Sequence, residues 1–162
     1  MNALFIGRFQ PFHKGHLKLI VNLYKKYNKI MIGIGSSQYS HKKDNPFTSD
    51  ERKKMISETL KANNVKNFQI ILIPDIHNPP KWVEHVLQLT NDFDVVITNN
   101  SFTKKLFEEK GFKVRSTDLY DKDKFSGTVI RKKMINNENW IDLVPETVYD
   151  YIKNIDMKKR LL

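Results

Sequence analysis

The chain has 162 residues, an apolar fraction of 40%, a net charge of +10 and no cysteine. Length and apolar content fit one domain over residues 1–162 with a full core, and the missing cysteines exclude disulfides, thiolate catalysis and cysteine-bound zinc. The positive charge attracts polyanions, whether nucleic acid, anionic lipid or free nucleotides, but the lysines are scattered along the chain in clusters that are only short, such as Lys25-Lys26, Lys132-Lys133 and Lys158-Lys159-Arg160. That pattern speaks against a nucleic-acid stripe.

In chain order, residues 3–7 (ALFIG) read as a buried strand. Leu17, Ile20, Val21 and Tyr24 follow at i, i+3, i+4 and i+7, one face of a helix. Residues 30–34 form a second strand closed by Gly35, and a loop runs to Phe47. Thr48-Ser49-Asp50-Glu51 is a capping box that opens a helix with Met55, Ile56 and Leu60 inward. Residues 68–73 form a third strand stopped by Pro74, and the helix after Pro79-Pro80 buries Val83, Val86 and Leu87. Residues 94–98 (DVVIT) are strand four, and Ser101 is expected to cap the helix that carries Phe102, Leu106 and Phe107. Residues 112–115 suit a short edge strand. Two helices are expected to finish the chain, one from Ser126-Gly127-Thr128 and one carrying Val148, Tyr151, Ile152 and Ile155.

Apolar strands separated by helices predict an α/β fold, a doubly wound parallel sheet covered on both faces, with C-terminal helices. In such sheets ligands bind beyond the carboxyl ends of the strands, where strand order reverses. The loops at residues 7–16, 35–47, 74–82 and 98–101, together with the helix start at Ser126, should therefore face one crevice. No apolar run reaches the roughly 18 residues of a membrane span. The start MNALFIGRFQ lacks a basic lead and meets an arginine too early for a signal peptide. The expectation is a cytoplasmic protein with no membrane partner.

The first strand runs into GRFQPFHKGH, residues 7–16. Gly7 ends the strand where backbone must approach a ligand closely. The following helix offers free N–H groups and its positive dipole end to a phosphate. Arg8, His13, Lys14 and His16 stand around that helix start. A second such place is Ser126-Gly127-Thr128-Val129-Ile130-Arg131, where hydroxyls, N–H groups and a guanidinium can hold a polyphosphate. Two histidines three apart lack a third ligand at zinc spacing.

The first segment resembles the HxGH signature of the nucleotidyltransferase superfamily, and the second resembles that superfamily's Ser/Thr-rich turn ending in Ile-Arg. With GSSQYSHKKDNPFTSDER (residues 35–52) and Trp82 after an Asp-Ile turn, nearly the whole chain is similar to the archaeal type of nicotinamide mononucleotide (NMN) adenylyltransferase. The resemblance implies a Rossmann-like fold, often a hexamer of identical subunits, and AMP transfer from ATP to NMN or nicotinate mononucleotide with magnesium, giving the NAD-type dinucleotide and pyrophosphate. It further implies that Gly7, Arg8, Phe9 and Gln10 line the ATP site and that His13 and His16 meet the α-phosphate. Lys14, Ser126, Gly127, Thr128 and Arg131 would contact the triphosphate. Ser37, Asn78, Trp82 and Asn100 would serve NMN, with Trp82 stacked on the nicotinamide ring. One departure stands out: the family's asparagine three residues before the tryptophan is Pro79 here, and Asn78 lies one residue earlier.

No residue set points to a covalent intermediate. The acceptor phosphate is already a nucleophile at neutral pH, so the site must supply alignment and charge neutralisation. No carboxylate cluster is evident, and magnesium is expected to ride on phosphate oxygens and water. Two alternatives fit the same signatures. One is another adenylyl- or cytidylyltransferase, such as the pantetheine-phosphate type; the other is a basic nucleotide- or RNA-binding module without catalysis.

Overall fold

Among the described residues, five parallel strands lie in the order β3-β2-β1-β4-β5. They are β1 (Asn2–Gly7), β2 (Lys29–Ile34), β3 (Phe68–Leu72), β4 (Val95–Ile97) and β5 (Lys113–Arg115). The computed structural model describes residues 1–117 and 123–162. The pleat sends alternate side chains to opposite faces. Ala3, Ile30, Ile32, Ile34, Val95 and Ile97 enter one apolar core, while Leu4, Met31, Val96 and Ile71 enter another on the far face. Because both faces are dry, the central strands read as unbroken apolar runs rather than alternating ones.

Helices α1 (Lys14–Lys26), α2 (Ser49–Ala62) and α5 (Gly127–Ile135) bury apolar residues in the first core, and α3 (Pro79–Leu89) and α4 (Ser101–Glu109) in the second. The Thr48–Glu51 capping box opens α2 as expected: Thr48 Oγ1 accepts from Glu51 N, and Thr48 N donates to Glu51 Oε1. The buried arc of α1 centres on Leu19, Ile20 and Leu23, with Leu17, Val21 and Tyr24 half-buried on its flank. No helix of the described residues is long and apolar enough to cross a membrane.

Two expectations are corrected. Asn100, not Ser101, caps α4, because its Oδ1 accepts from Thr103 N at 2.9 Å and Ser101 is already helical. The C-terminal segment is not one helix but two, α6 (Glu146–Ile152) and α7 (Met157–Leu161), after a 3₁₀ turn at Ile141–Leu143. Asp156 caps α7 by accepting from Lys159 N. That break turns Met157 and Leu161 into the core, which a continuous helix would not do.

Strand order reverses between β1 and β4, where Phe5 pairs with Ile97 on one side and Gly7 with Ile34 on the other. Loops leaving β1 and β4 diverge to opposite faces here, and the crevice between them is where a ligand can reach several strand ends.

Candidate active site

His13 and His16 frame the start of α1. His13 is its N-cap: Nδ1 of His13 accepts from His16 N at 3.3 Å, and Nδ1 of His16 accepts from His13 N at 3.2 Å. The rings stack at 3.5 Å, and His16 is further enclosed by Phe9 (4.8 Å) and Phe12 (5.5 Å). Burial pushes His13 down to about 4, and burial together with His13 holds His16 well below the ordinary histidine value. Both rings are therefore neutral at pH 7. A nitrogen that accepts a main-chain N–H carries no proton itself, so the ring proton of each sits on Nε2. The pair offers two neutral N–H donors.

The second signature stands opposite. Ser126 caps α5 by accepting from Val129 N at 3.1 Å. Arg131 is buried, donating from Nη1 to the Gln10 carbonyl at 2.8 Å and from Nη2 to Thr128 Oγ1 at 3.4 Å, with the exposed Asp44 3.9 Å away. Burial, then the charge of Arg8, lowers its guanidinium from the ordinary value. The bond to Gln10 spans 121 residues and joins the two signature loops. It explains Gly127: a Cβ there would stand 2.7 Å from Arg131 Nη1 and 3.0 Å from the Gln10 carbonyl.

Between the signatures lies a cavity of about 520 Å³ bounded by His13, Gly15, His16, Thr117, Phe125 and Ser126. Asn100 is shared with a neighbouring cavity of about 290 Å³ that reaches Gly7, Arg8, Ser36, Asp75 and Trp82. Trp82 and Asp75 in turn border a third, more apolar hollow of about 270 Å³ with Asn78, Pro79 and Phe102. The three form one groove along the carboxyl ends of the strands. Thr128 and Arg131 border a separate basic hollow with Lys43 and Lys132.

The cytidylyltransferase-like family model matches residues 4–133. The chain is 48% identical to the nicotinamide-nucleotide adenylyltransferase of Methanococcus aeolicus over 99% of its own length and 93% of that protein. It is 46% identical to the nicotinamide-nucleotide adenylyltransferase of Thermoplasma volcanium over 98% of its length and 89% of that protein. The chain belongs to the nicotinamide-nucleotide adenylyltransferase family. A bifunctional NMN adenylyltransferase/ADP ribose pyrophosphatase of Francisella tularensis, solved with AMP and a manganese ion, shares the fold at a TM-score of 0.81 and 24% identity. That match covers 99% of this chain and 51% of the larger one, so the chain spans about half of that protein.

Within this family frame, the expected site residues divide by position. Gly7, Arg8, His13, His16, Ser126 and Gly127 line the groove with Trp82, Asn78 and Asn100. Lys14 is exposed at the first position of α1. Phe9 and Gln10 are buried instead of lining it: Phe9 packs beneath His16, and Gln10 exchanges two hydrogen bonds with the main chain of Phe47. Their side chains brace the loop. Ser37 is set back with its N–H on the Ile73 carbonyl, and Ser36 takes the groove position, its Oγ donating to Asp75 Oδ2 at 2.8 Å. Ser36 and Asp75 lie in the loops at residues 35–47 and 74–82 that the sequence turns toward the crevice, but no single role in the site was expected of either. A carboxylate one residue past the proline that stops β3 was the available signal for Asp75.

Proposed function

We propose that the groove binds ATP and NMN side by side and transfers the adenylyl group from one to the other, giving NAD and pyrophosphate. The observation that carries this reading is the Arg131–Gln10 bond, which places the neutral histidine pair and the α5 N-terminus around one cavity. ATP takes the His13–Ser126 cavity, with its base against Gly15 and Phe125 and its α-phosphate at the two Nε2–H donors. Arg8, Lys14 and Arg131 offset the triphosphate charge, since the histidines carry none, and Thr128 offers it a hydroxyl donor.

NMN takes the Trp82 side, with its ring against the indole and its phosphate directed to the histidines. An NMN phosphate oxygen attacks the α-phosphorus of ATP as the bond to the bridging α–β oxygen breaks, and the electron pair leaves with pyrophosphate. No proton transfer is required. Charge stabilisation by preorganised donors is the main contribution of such a site. Among the described residues no group of three His, Cys, Asp or Glu could cage a metal ion. Magnesium would therefore arrive on the ATP phosphates and offset charge on the departing pyrophosphate.

Asp75 supports NMN over nicotinate mononucleotide as acceptor. Its carboxylate accepts from Ser36 Oγ, its main chain exchanges two hydrogen bonds with the Gln38 side chain, and it borders the cavity that holds Trp82. A carboxylate there accepts from a carboxamide N–H and repels a second carboxylate. Purified protein supplied with ATP and either acceptor, followed by product mass, tests both statements. NAD formed from NMN at the higher kcat/KM supports them; faster use of nicotinate mononucleotide overturns the acceptor, and no dinucleotide from either overturns the activity.

A further inference from the structure

Arg52 is fully buried on the first turns of α2. Among the described residues it forms no ion pair; the adjacent Glu51 turns instead to Arg160 at 2.6 Å. A buried guanidinium without a carboxylate must satisfy its donors elsewhere. It does so on main-chain oxygens. Nη1 donates to the carbonyls of Arg8 (3.0 Å) and Gly35 (2.9 Å), Nη2 to Ser36 (3.2 Å), Tyr39 (3.4 Å) and Ser37 (3.5 Å), and Nε to Thr48 (3.2 Å). Burial, then the charge of Arg8, brings the group down to about 10, so it stays cationic at neutral pH.

The carbonyls it gathers are those that shape the acceptor side of the groove. Ser36 holds Asp75, and Ser36 itself has φ 48°, a left-handed conformation that a non-glycine residue keeps only when its surroundings enforce it. Phe9, just after the Arg8 carbonyl, has φ 54°. Four of the six accepting oxygens belong to residues 35–39, the segment leaving β2, and one to the first signature loop. A guanidinium suits this task because its donors fan out in a plane, whereas an ammonium concentrates three donors on one atom.

We propose that Arg52 is a positioning residue that holds the acceptor wall at residues 35–39 in its binding shape before substrate arrives, and so sets KM for NMN. The inference rests on the acceptor assignment given above. Arg52→Lys keeps the charge but cannot reach both edges of the carbonyl array. It should raise KM for NMN about tenfold and leave KM for ATP within about twofold, because only one of the six carbonyls it holds lies in the first signature loop and four lie in the acceptor wall, with kcat reduced less than KM is raised. An unchanged KM for NMN, or equal rises in both constants, would overturn the proposal.

Amide exchange on the wild-type protein provides a second measurement that needs no variant. The N–H groups of Gly35, Ser37 and Tyr39 donate to Gly7, Ile73 and Ser36 carbonyls. They should be protected in the free protein and gain little on adding NMN. Fast exchange that slows only with NMN would contradict a preformed wall. A wild-type protein that makes no NAD would instead overturn the activity itself.

Discussion

His13 and His16 stack at 3.5 Å because neither is charged. Two imidazolium rings at that distance would repel strongly in a dry setting, and the reciprocal capping bonds require both Nδ1 atoms to stay unprotonated. The helix start thus fixes the tautomer that leaves both Nε2–H groups for a phosphate.

The first consequence is a pH dependence of stability. In the unfolded chain these rings take up protons near 6.5; folded His13 does so only near 4, and His16 well below its ordinary value. Between those values the unfolded state binds more protons, so stability is complete above about pH 6.5 and is lost as pH falls. For His13 alone the loss is on the order of 3 kcal/mol. His13→Asn keeps an N-cap acceptor and removes one titration. Its melting temperature should therefore fall less steeply than that of wild type between pH 7 and 4.5. Equal slopes would show that His13 titrates normally.

Catalysis should follow the donors rather than a titration. His16→Ala removes one Nε2–H and should cut kcat by roughly 10²–10³, with KM for ATP changed much less. The ring also packs between Phe9 and Phe12, so a lower melting temperature accompanies the loss. The wild-type kcat should be flat from pH 7 to 8.5. A rate that falls as pH rises through about 6.5 would mean that a charged histidine takes part.

Gly127→Ala tests the join between the signatures without touching a functional group. The added methyl needs the space of Arg131 Nη1 and the Gln10 carbonyl. Displacing the guanidinium should raise KM for ATP about tenfold, equivalent to roughly 1.4 kcal/mol, while KM for NMN moves little. Unchanged ATP kinetics would detach Arg131 from the triphosphate.

Trp82 makes an edge contact with Phe107 at 5.6 Å while bordering two cavities, so it serves core and groove together. Trp82→Ala should raise KM for NMN about 5- to 150-fold, the range for losing one aromatic stack. It should also cost about 2 kcal/mol of stability, less than the roughly 3–5 kcal/mol of a fully buried tryptophan. Trp82→Phe should recover much of both. A stability loss with no selective NMN defect would make Trp82 a core residue only.

What the sequence made legible was what acts locally. Unbroken apolar runs marked residues 3–7 and 30–34 as buried strands, and the Thr48–Glu51 spacing marked a helix start, because pleat, burial and capping all operate within a few residues. The two signatures were legible as phosphate sites for the same reason. Contacts between distant segments were not. Gln10 is a strut because of Phe47, 37 residues on, and Arg52 is an organiser because of carbonyls up to 44 residues away. Asn100 and Ser101 are both good caps by residue type, and only the backbone geometry chose between them. Ser36 and Ser37 differ in role through a single positive φ that turns one hydroxyl to Asp75.

The most direct test of the central claim uses ATP with a single sulfur-for-oxygen replacement of defined configuration at the α-phosphorus, together with NMN and magnesium. A direct displacement between two substrates bound in one groove predicts an NAD carrying the sulfur at the adenylyl phosphate, with configuration inverted and pyrophosphate released in equal amount. Retention of configuration would require a covalent adenylyl-protein intermediate. Release of thio-AMP without dinucleotide would mean that water, not NMN, is the acceptor. Either result would contradict the account.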